Sequence, residues 1–357
     1  MSGGEISLLT FLSCLDRSKY TPFFAYNDEG EFVNKVRSLG IECVRVPISS
    51  RVLAVKREEI GLSNVVSGFR DIWPIVKQLR VIIKKYGIDL LHTNSLKSNI
   101  IGGLSAFALI PNVWHQRDIL EGRLRVIYKI AALFLAKRVI CISEVVKSSL
   151  DLKKCIKIYN GIKTDYSDGY SAVEHRNASI TVSMIGRIAE WKNQAVFIEA
   201  ARGVEARFNI AGSAMFPGDS DYEVKLRANA PENVKFLGFV NSETVINESD
   251  IIVHCSKEPE PFGMVIVEAM AFKKPVIASN IGAPREILED AGLTFNPADA
   301  SELKQKILLL IGDPLLRGRL GQKGYERFKE YFTGTREALE IMKLYDALLD
   351  QGRSKTC

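Results

Sequence analysis

The 357-residue sequence predicts an α/β protein built as two doubly wound units. Three observations carry this prediction. Short runs rich in β-branched and apolar residues alternate with helical stretches along the chain, a rhythm that produces mainly parallel sheets covered on both faces. The length suits two domains of roughly 100–200 residues each. One polar, glycine-containing stretch without periodicity, TDYSDGYSAVEHRNAS at 164–179, breaks the rhythm near the middle and reads as a linker.

The elements follow in order. In the first half, YTPFFAY (20–26), IECVRVPI (41–48), IDLLHTNS (88–95), NVWHQR (112–117) and RVICIS (138–143) read as buried strands. Helical patterns fall at 70–87 and 121–138. The second half repeats the alternation with SITVSMIGR (179–187), ARFNIAG (206–212), VKFLGF (234–239), DIIVHCS (250–256) and PVIAS (275–279). The tail 335–352 is an amphipathic helix, expected to pack back on the first domain. The predicted division is therefore 1–163, a linker at 164–178, and 179–334. Ligands of such sheets sit beyond the carboxyl ends of the strands, so a cleft between two facing domains is the expected site.

Composition narrows the function. Hydrophobic residues make up 46% and charged residues 25%, an ordinary globular balance. The net charge of +6 suits anionic partners such as phosphates or lipid head groups, and no basic-aromatic stripe points to nucleic acid. Six scattered cysteines without a C-x-x-C pair argue against a disulfide frame or zinc site and for a reducing cytoplasm. The four histidines share no ligand spacing. No apolar run approaches the ~18 residues of a spanning helix, and the start MSGGEISLLTFL has neither the cationic flank nor the cleavage site of a secretory signal.

The richest segment is KEPEPFGMVIVEAMAFKKPVIAS, 257–279. Pro259 and Pro261 stop the preceding strand and Gly263 relaxes the backbone. Glu260 then lies in a loop at the strand's carboxyl end, and Glu268 about 7.5 Å along the following helix. Between them the amides after Phe262, those of Gly263, Met264 and Val265, form a helix start prepared for an anion. Hydroxyl acceptors flanking an anion site suit a nucleotide sugar. Two glutamates at this spacing mean little alone; the Glu-Pro-Phe-Gly turn and the helix after it make the pattern specific. GAPREI (282–287) supplies a further glycine turn at the next strand end. Arg187 and Lys192, after another strand, offer a forked guanidinium and a point charge suited to a diphosphate. His115 closes the strand NVW; a lone histidine is more often structural than catalytic, and His92 and His254 read as structural. The pair of aspartates in DSD (219–221) sits in what reads as an open loop, so no metal site is assigned.

These motifs resemble the signature of retaining GT-B glycosyltransferases, specifically glycosyltransferase family 4, over most of the chain. MIGRIAEWKNQ (184–194) is similar to the family's Gly-Arg…Lys segment, KIYNGI (157–162) to its asparagine-glycine turn, VICISE (139–144) to the strand before that turn, and SGGEISLL (2–9) to a Gly-Gly loop. The resemblance implies two Rossmann-like doubly wound domains facing a central cleft, the first for an acceptor and the second for a nucleotide sugar. It implies a metal-independent hexosyltransferase without a cofactor, the nucleotide sugar being a substrate. Glu268 would accept the ribose hydroxyls, and Arg187, Lys192 and the amides after Phe262 would hold the diphosphate. Gly3 and Gly4 would approach the donor phosphate, and Glu260 and His115 would meet the donor sugar, Glu260 as a positioner. Acceptor contacts would come from loops such as 49–70 and 92–99.

Family members usually carry a strand before the Gly-Gly loop. Here Met1 stands just ahead of it, so the resemblance implies a first sheet lacking its central strand. The implied setting is bacterial surface polysaccharide (O-antigen, capsule or exopolysaccharide), with a glycan or polyprenyl-linked acceptor. A nucleotide-sugar epimerase of the same shape, or a non-catalytic nucleotide-sugar binder, remains open. The basic stretches KQLRVIIKKYG and RLRVIYKIAALFLAKR could rest on an anionic membrane or simply cover the sheet with a charged outer face.

Overall fold

A computed structural model describes residues 3–50, 52, 62–163 and 179–353. The predicted linker at 164–178 lies outside these, as do residue 51 and residues 53–61 of the expected acceptor loop. The chain divides into two compact units: Met1–Gly161 with Gly334–Cys357, and Ile162–Thr333.

In the first unit every predicted strand forms, shortened at its ends. These are β1 (Phe23–Tyr26), β2 (Glu42–Arg45), β3 (Leu91–Thr93), β4 (Asn112–Gln116) and β5 (Arg138–Cys141). β4 and most of β5 are buried as expected, whereas β1 and β2 are only half-buried to exposed. One more, β6 (Cys155–Lys157), has only three residues and occupies a sheet edge, too short to show a period of two. β1 and β2 form a parallel pair; β3-β4-β5-β6 form a separate parallel sheet. No strand joins the two among the described residues. The Gly-Gly segment is not a loop: Gly3 and Gly4 open the helix Gly3–Ser13, whose buried face carries Phe11 and Leu12. The stretch 62–70, read as loop, is helical too. It belongs to the helix Leu62–Lys85, whose amphipathic period starts earlier than the charged stretch suggested.

The tail helix Gly334–Arg353 belongs to this unit, with Ile341, Leu344 and Leu348 packed in one core with Phe11, Val113 and Ile140. Each such side chain contributes about 1.5–3 kcal/mol on full burial. The seam between the first and last helices also holds buried polar groups. Ser7 Oγ donates to Asn160 Oδ1 at 3.1 Å and to Glu337 Oε1 at 3.3 Å, and Gly161 N donates to Glu337 Oε2 at 2.8 Å. The Arg117 guanidinium donates to Asn160 Oδ1 at 2.8 Å, Ser7 Oγ at 3.1 Å and Asn94 Oδ1 at 3.2 Å.

The second unit holds a six-stranded, fully parallel sheet in the order β12-β11-β10-β7-β8-β9. Its strands are β7 (Thr181–Ile185), β8 (Arg207–Ala211), β9 (Val234–Gly238), β10 (Ile251–His254), β11 (Val276–Ser279) and β12 (Leu293–Phe295). β12, again a three-residue edge strand, is the one the sequence did not suggest. The chain lays β7, β8 and β9 outward in one direction, then returns to add β10, β11 and β12 on the other side of β7. The order therefore reverses between β7 and β10, and open α/β sheets bind ligands at the strand ends beside such a reversal. Phe208, Ile210, Ile251 and Val253 fill the core between this sheet and the helices covering it, including Phe197 and Leu303.

Burial pushes the Glu337 carboxyl up to about 7, with Arg117, the Gly161 amide and Ser7 pulling the other way. The folded protein thus favours the protonated form more than the unfolded chain does, whose carboxyl titrates near 4.5. Its contribution is complete below pH 4.5 and lost as pH rises through 7. Glu337→Gln should therefore gain on wild type by on the order of 3 kcal/mol between those limits, read from urea midpoints across the range. A gap that does not change with pH would rule this titration out.

Candidate active site

The site is built at the carboxyl ends of β7 and β10. These strands pair in parallel, with Ile251 opposite Val182 and Val253 opposite Met184. Residues following each strand are thereby brought together although 68 positions apart in sequence. After β7 the chain runs through Arg187 into a short 3₁₀ turn, Glu190–Lys192. After β10 it runs through Ser256 to Glu260, which lies in a loop as its prolines require. That loop is pinned on its far side: Ala283 N donates to Glu260 O at 2.8 Å, and a β-carbon on Gly282 would fall 2.3 Å from Glu260 N. Gly282 has φ +76°, so the turn needs glycine for both space and backbone.

Glu260 is buried among three side chains. Lys192 Nζ donates to its Oε2 at 2.6 Å, Ser256 Oγ at 3.0 Å and His254 Nε2 at 3.2 Å. Burial alone would raise this carboxyl. The Lys192 ammonium and the His254 hydrogen bond outweigh that and hold it well below the usual carboxylate range. The aliphatic stem and ammonium of Lys192 lie against Trp191, 4.1 Å from the ring centroid to Nζ.

Gly263, at φ +97°, starts the helix Met264–Ala271 with no side-chain cap hydrogen bond; helix starts of this kind, here the amides of Gly263, Met264 and Val265, are in general suited to anions. Phe262 is buried, with its ring edge-on to Phe332 at 6.1 Å between centroids. Glu268 is the fifth residue of that helix. Burial pushes its carboxyl up, against a counter-pull from Ser242, and its Oε2 is buried with no hydrogen-bond partner among the described residues. An orphaned buried acceptor costs about 1–3 kcal/mol and marks a place where a ligand donor would be welcome.

Arg187 lies over Phe216 at 4.8 Å, with its Nε 3.6 Å from Asp219 Oδ2, an ion pair too long for a hydrogen bond. The DSD aspartates are not in an open loop: Asp219 and Asp221 sit in the first turns of the helix Pro217–Asn229. Proline at its first position and an acidic first turn favour a helix start there. Asp219 then meets a guanidinium.

One histidine has a contact the sequence did not suggest. His254 is buried, as a core residue would be, yet its Nε2 contacts Glu260. Its signal was its place: the last residue of a strand, six before the glutamate. His115 and His92 are neighbours on β4 and β3, stacked at 5.3 Å between centroids, with His92 Nε2 3.3 Å from His115 Nδ1. Burial, aided by Arg117, lowers both, His92 to about 3, so both imidazoles are neutral. Gly3 and Gly4 sit at a helix start in the first unit; a β-carbon on Gly4 would touch Arg117.

A buried carboxylate held ionised by a lysine thus lies beside an uncapped helix start at the reversal point of a doubly wound sheet, the place where open α/β sheets bind their ligands. Comparison with known proteins is specific. Residues 1–166 match the family model described as Glycosyltransferase Family 4, and residues 171–327 that of Glycosyl transferases group 1. An uncharacterized glycosyltransferase of Methanocaldococcus jannaschii is 30% identical over 79% of this chain and 83% of its own length. A phosphatidyl-myo-inositol mannosyltransferase of Mycobacterium leprae is 28% identical over 74% of this chain and 68% of its own. The crystal structure of Anabaena HepE in complex with UDP superposes with a TM-score of 0.82 at 22% identity, covering 97% of each chain. This chain belongs to glycosyltransferase family 4, and each of its units has the Rossmann-like form of the GT-B fold.

Removing one partner of a buried ion pair leaves the other uncompensated, at about 3–5 kcal/mol. Lys192→Met should therefore destabilise the protein by that order in urea denaturation, and Lys192→Met with Glu260→Gln should recover most of the loss. Additive losses in the double variant would show that the pair is not coupled.

Proposed function

We propose that this glycosyltransferase is a retaining, metal-independent enzyme that takes its sugar from a UDP- or GDP-sugar and places it on a hydroxyl of a glycan or polyprenyl-linked acceptor. The setting is synthesis of bacterial surface polysaccharide, such as O-antigen, capsule or exopolysaccharide, on the cytoplasmic side of the membrane. The observation that carries the reading is the ionised Glu260 paired with Lys192 at the reversal of the second sheet. HepE with UDP supports the donor class, and an Escherichia coli galactosyltransferase named for a diphosphoundecaprenol-linked acceptor, 27% identical over 62% of this chain, supports the acceptor class.

The chemistry follows from the charges. A diphosphate arriving at the helix start of Gly263, Met264 and Val265 competes with Glu260 for Lys192 and draws on Arg187. Glu260, released from its cation, becomes an acceptor for sugar hydroxyls while Lys192 and Arg187 take up charge developing on the leaving diphosphate. Glu268 accepts from the ribose hydroxyls. The bond from the anomeric carbon to the phosphate oxygen breaks, the acceptor oxygen joins the same face, and its proton passes to the departing diphosphate. These cations supply the neutralisation, so turnover is expected to survive a chelator.

Saturation-transfer NMR against UDP-, GDP- and ADP-sugars should show one donor bound, at least tenfold more weakly by Glu268→Ala, consistent with the loss of charged hydrogen bonds at ~1.5–3 kcal/mol each. Anomeric couplings of the product should report retention. If wild type binds no donor, the nucleotide-sugar reading fails.

Peripheral membrane contact belongs to the same proposal. The helix Gly122–Leu135 does not present a purely charged outer face: Val126, Ile130, Leu133 and Phe134 are 49–75% exposed, beside Arg123, Arg125 and Lys129. No described helix is long and apolar enough to cross a membrane. Vesicles containing anionic lipid should sediment the protein, neutral vesicles should not, and Ile130→Glu with Phe134→Glu should abolish sedimentation. Equal partition to both vesicle types would remove membrane docking from the proposal.

A further inference from the structure

We infer that Tyr345 and His92 are positioning residues that fix the tautomer of His115, so that its Nε2 carries the proton and is offered as a hydrogen-bond donor to the sugar substrate. The inference rests on the glycosyltransferase reading for its substrate and on geometry for everything else.

The three groups form one line through the first unit. The Tyr345 hydroxyl, on the helix Gly334–Arg353, is hydrogen-bonded to His92 Nδ1; His92 Nε2 lies 3.3 Å from His115 Nδ1. Tyr345 is buried, and His92 Nδ1 is the hydrogen-bond partner its hydroxyl has among the described residues. A phenol always carries a proton to donate, and leaving it unmatched in a buried place costs about 1–3 kcal/mol. That proton therefore points at His92 Nδ1, which must be the bare nitrogen. A neutral imidazole with a bare Nδ1 carries its hydrogen on Nε2, so His92 donates to His115 Nδ1. The same rule applied once more leaves His115 with its hydrogen on Nε2. This atom is buried and has no partner among the described residues, so the line ends in a donor whose acceptor is still to come. It sits on β4 one residue before the strand's carboxyl end, where sheets of this type meet their ligands.

The opposite polarity would run from His115 Nδ1–H to His92 and from His92 to the tyrosine oxygen. It strands the phenolic proton and turns His115 Nε2 into an acceptor. Packing holds the line in place: Phe11 contacts both His92 and Tyr345, at 6.0 and 6.4 Å between centroids.

The test uses the full chain labelled with ¹⁵N-histidine. Four histidines make assignment tractable. Long-range proton–nitrogen spectra should show His92 and His115 neutral with hydrogen on Nε2 in the wild type, a result that needs no variant. Hydrogen on Nδ1 of His115 would overturn the inference. Tyr345→Phe should let both rings shift toward the other tautomer and lower kcat about tenfold or more, in the direction seen when an imidazole is held in the wrong tautomer, with little change in KM for the nucleotide sugar. His92→Gln, whose amide can accept from Tyr345 and donate to His115, should retain the His115 tautomer and most of the turnover; His92→Phe should retain neither. Unchanged tautomers in Tyr345→Phe, or shifted tautomers with undiminished kcat, would each refute the positioning role. A wild type with the expected tautomers and no transfer with any donor would refute the glycosyltransferase chemistry proposed above and leave the tautomer assignment standing.

Discussion

The second unit depends on one contact, the parallel pairing of β7 with β10. Each strand is an ordinary buried run, and each is followed by a segment with little meaning alone: an arginine and a lysine in one case, a proline-bracketed glutamate in the other. Pairing them side by side sets Lys192 Nζ 2.6 Å from Glu260 Oε2 in a place almost without water. Desolvating a carboxylate is expensive, and only an opposite charge and further donors make it tolerable. Lys192, His254 and Ser256 provide these, and Gly282 holds the backbone from behind. The arrangement places charge at the carboxyl ends of the two central strands of the sheet.

The first unit solves a different problem with the same means. Its first and last helices come from opposite ends of the chain. Apolar packing of Phe11 against Ile341 and Leu344 supplies affinity but little register. The buried polar cluster of Ser7, Arg117, Asn160 and Glu337 supplies register, since each hydrogen bond is satisfied in one alignment only. Beside this cluster lie His115, buried, and His92, half-buried, both neutral. The unit thus places two imidazoles next to an arginine without ionising either, which keeps them available as directional hydrogen-bond groups.

Much of this was legible in the sequence because it depends on neighbours along the chain. The strands at 179–187 and 250–256 show themselves by β-branched runs, and the loop at Glu260 by its two prolines. The edge strands β6 and β12 were not legible, because three residues carry little alternation; β3, equally short, showed itself only through the longer run IDLLHTNS that contains it. The Gly3–Gly4 segment was expected as a loop from the family resemblance. Leu8, Leu9, Phe11 and Leu12 share one core with the tail helix, and the helix they belong to extends back through both glycines.

The sequence by itself determined the class of the protein: alternating elements, two domains, and a Glu-Pro-Phe-Gly-x4-Glu motif at a strand-to-helix turn. It identified Glu260, Arg187 and Lys192 as candidates because each follows a strand at its carboxyl end, and Glu268 because it lies on the helix after the Glu-Pro-Phe-Gly turn. Only the tertiary structure decided what each touches. That Lys192 meets Glu260 directly, that His254 is a partner of Glu260 as well as core, and that Asp219 faces Arg187 all depend on strand order. Strand order is set by which buried faces pack together, and no local spacing encodes it. The line from Tyr345 through His92 to His115 is the extreme case. Its ends lie 230 residues apart, and it exists because apolar packing of the last helix brings a phenol to an imidazole.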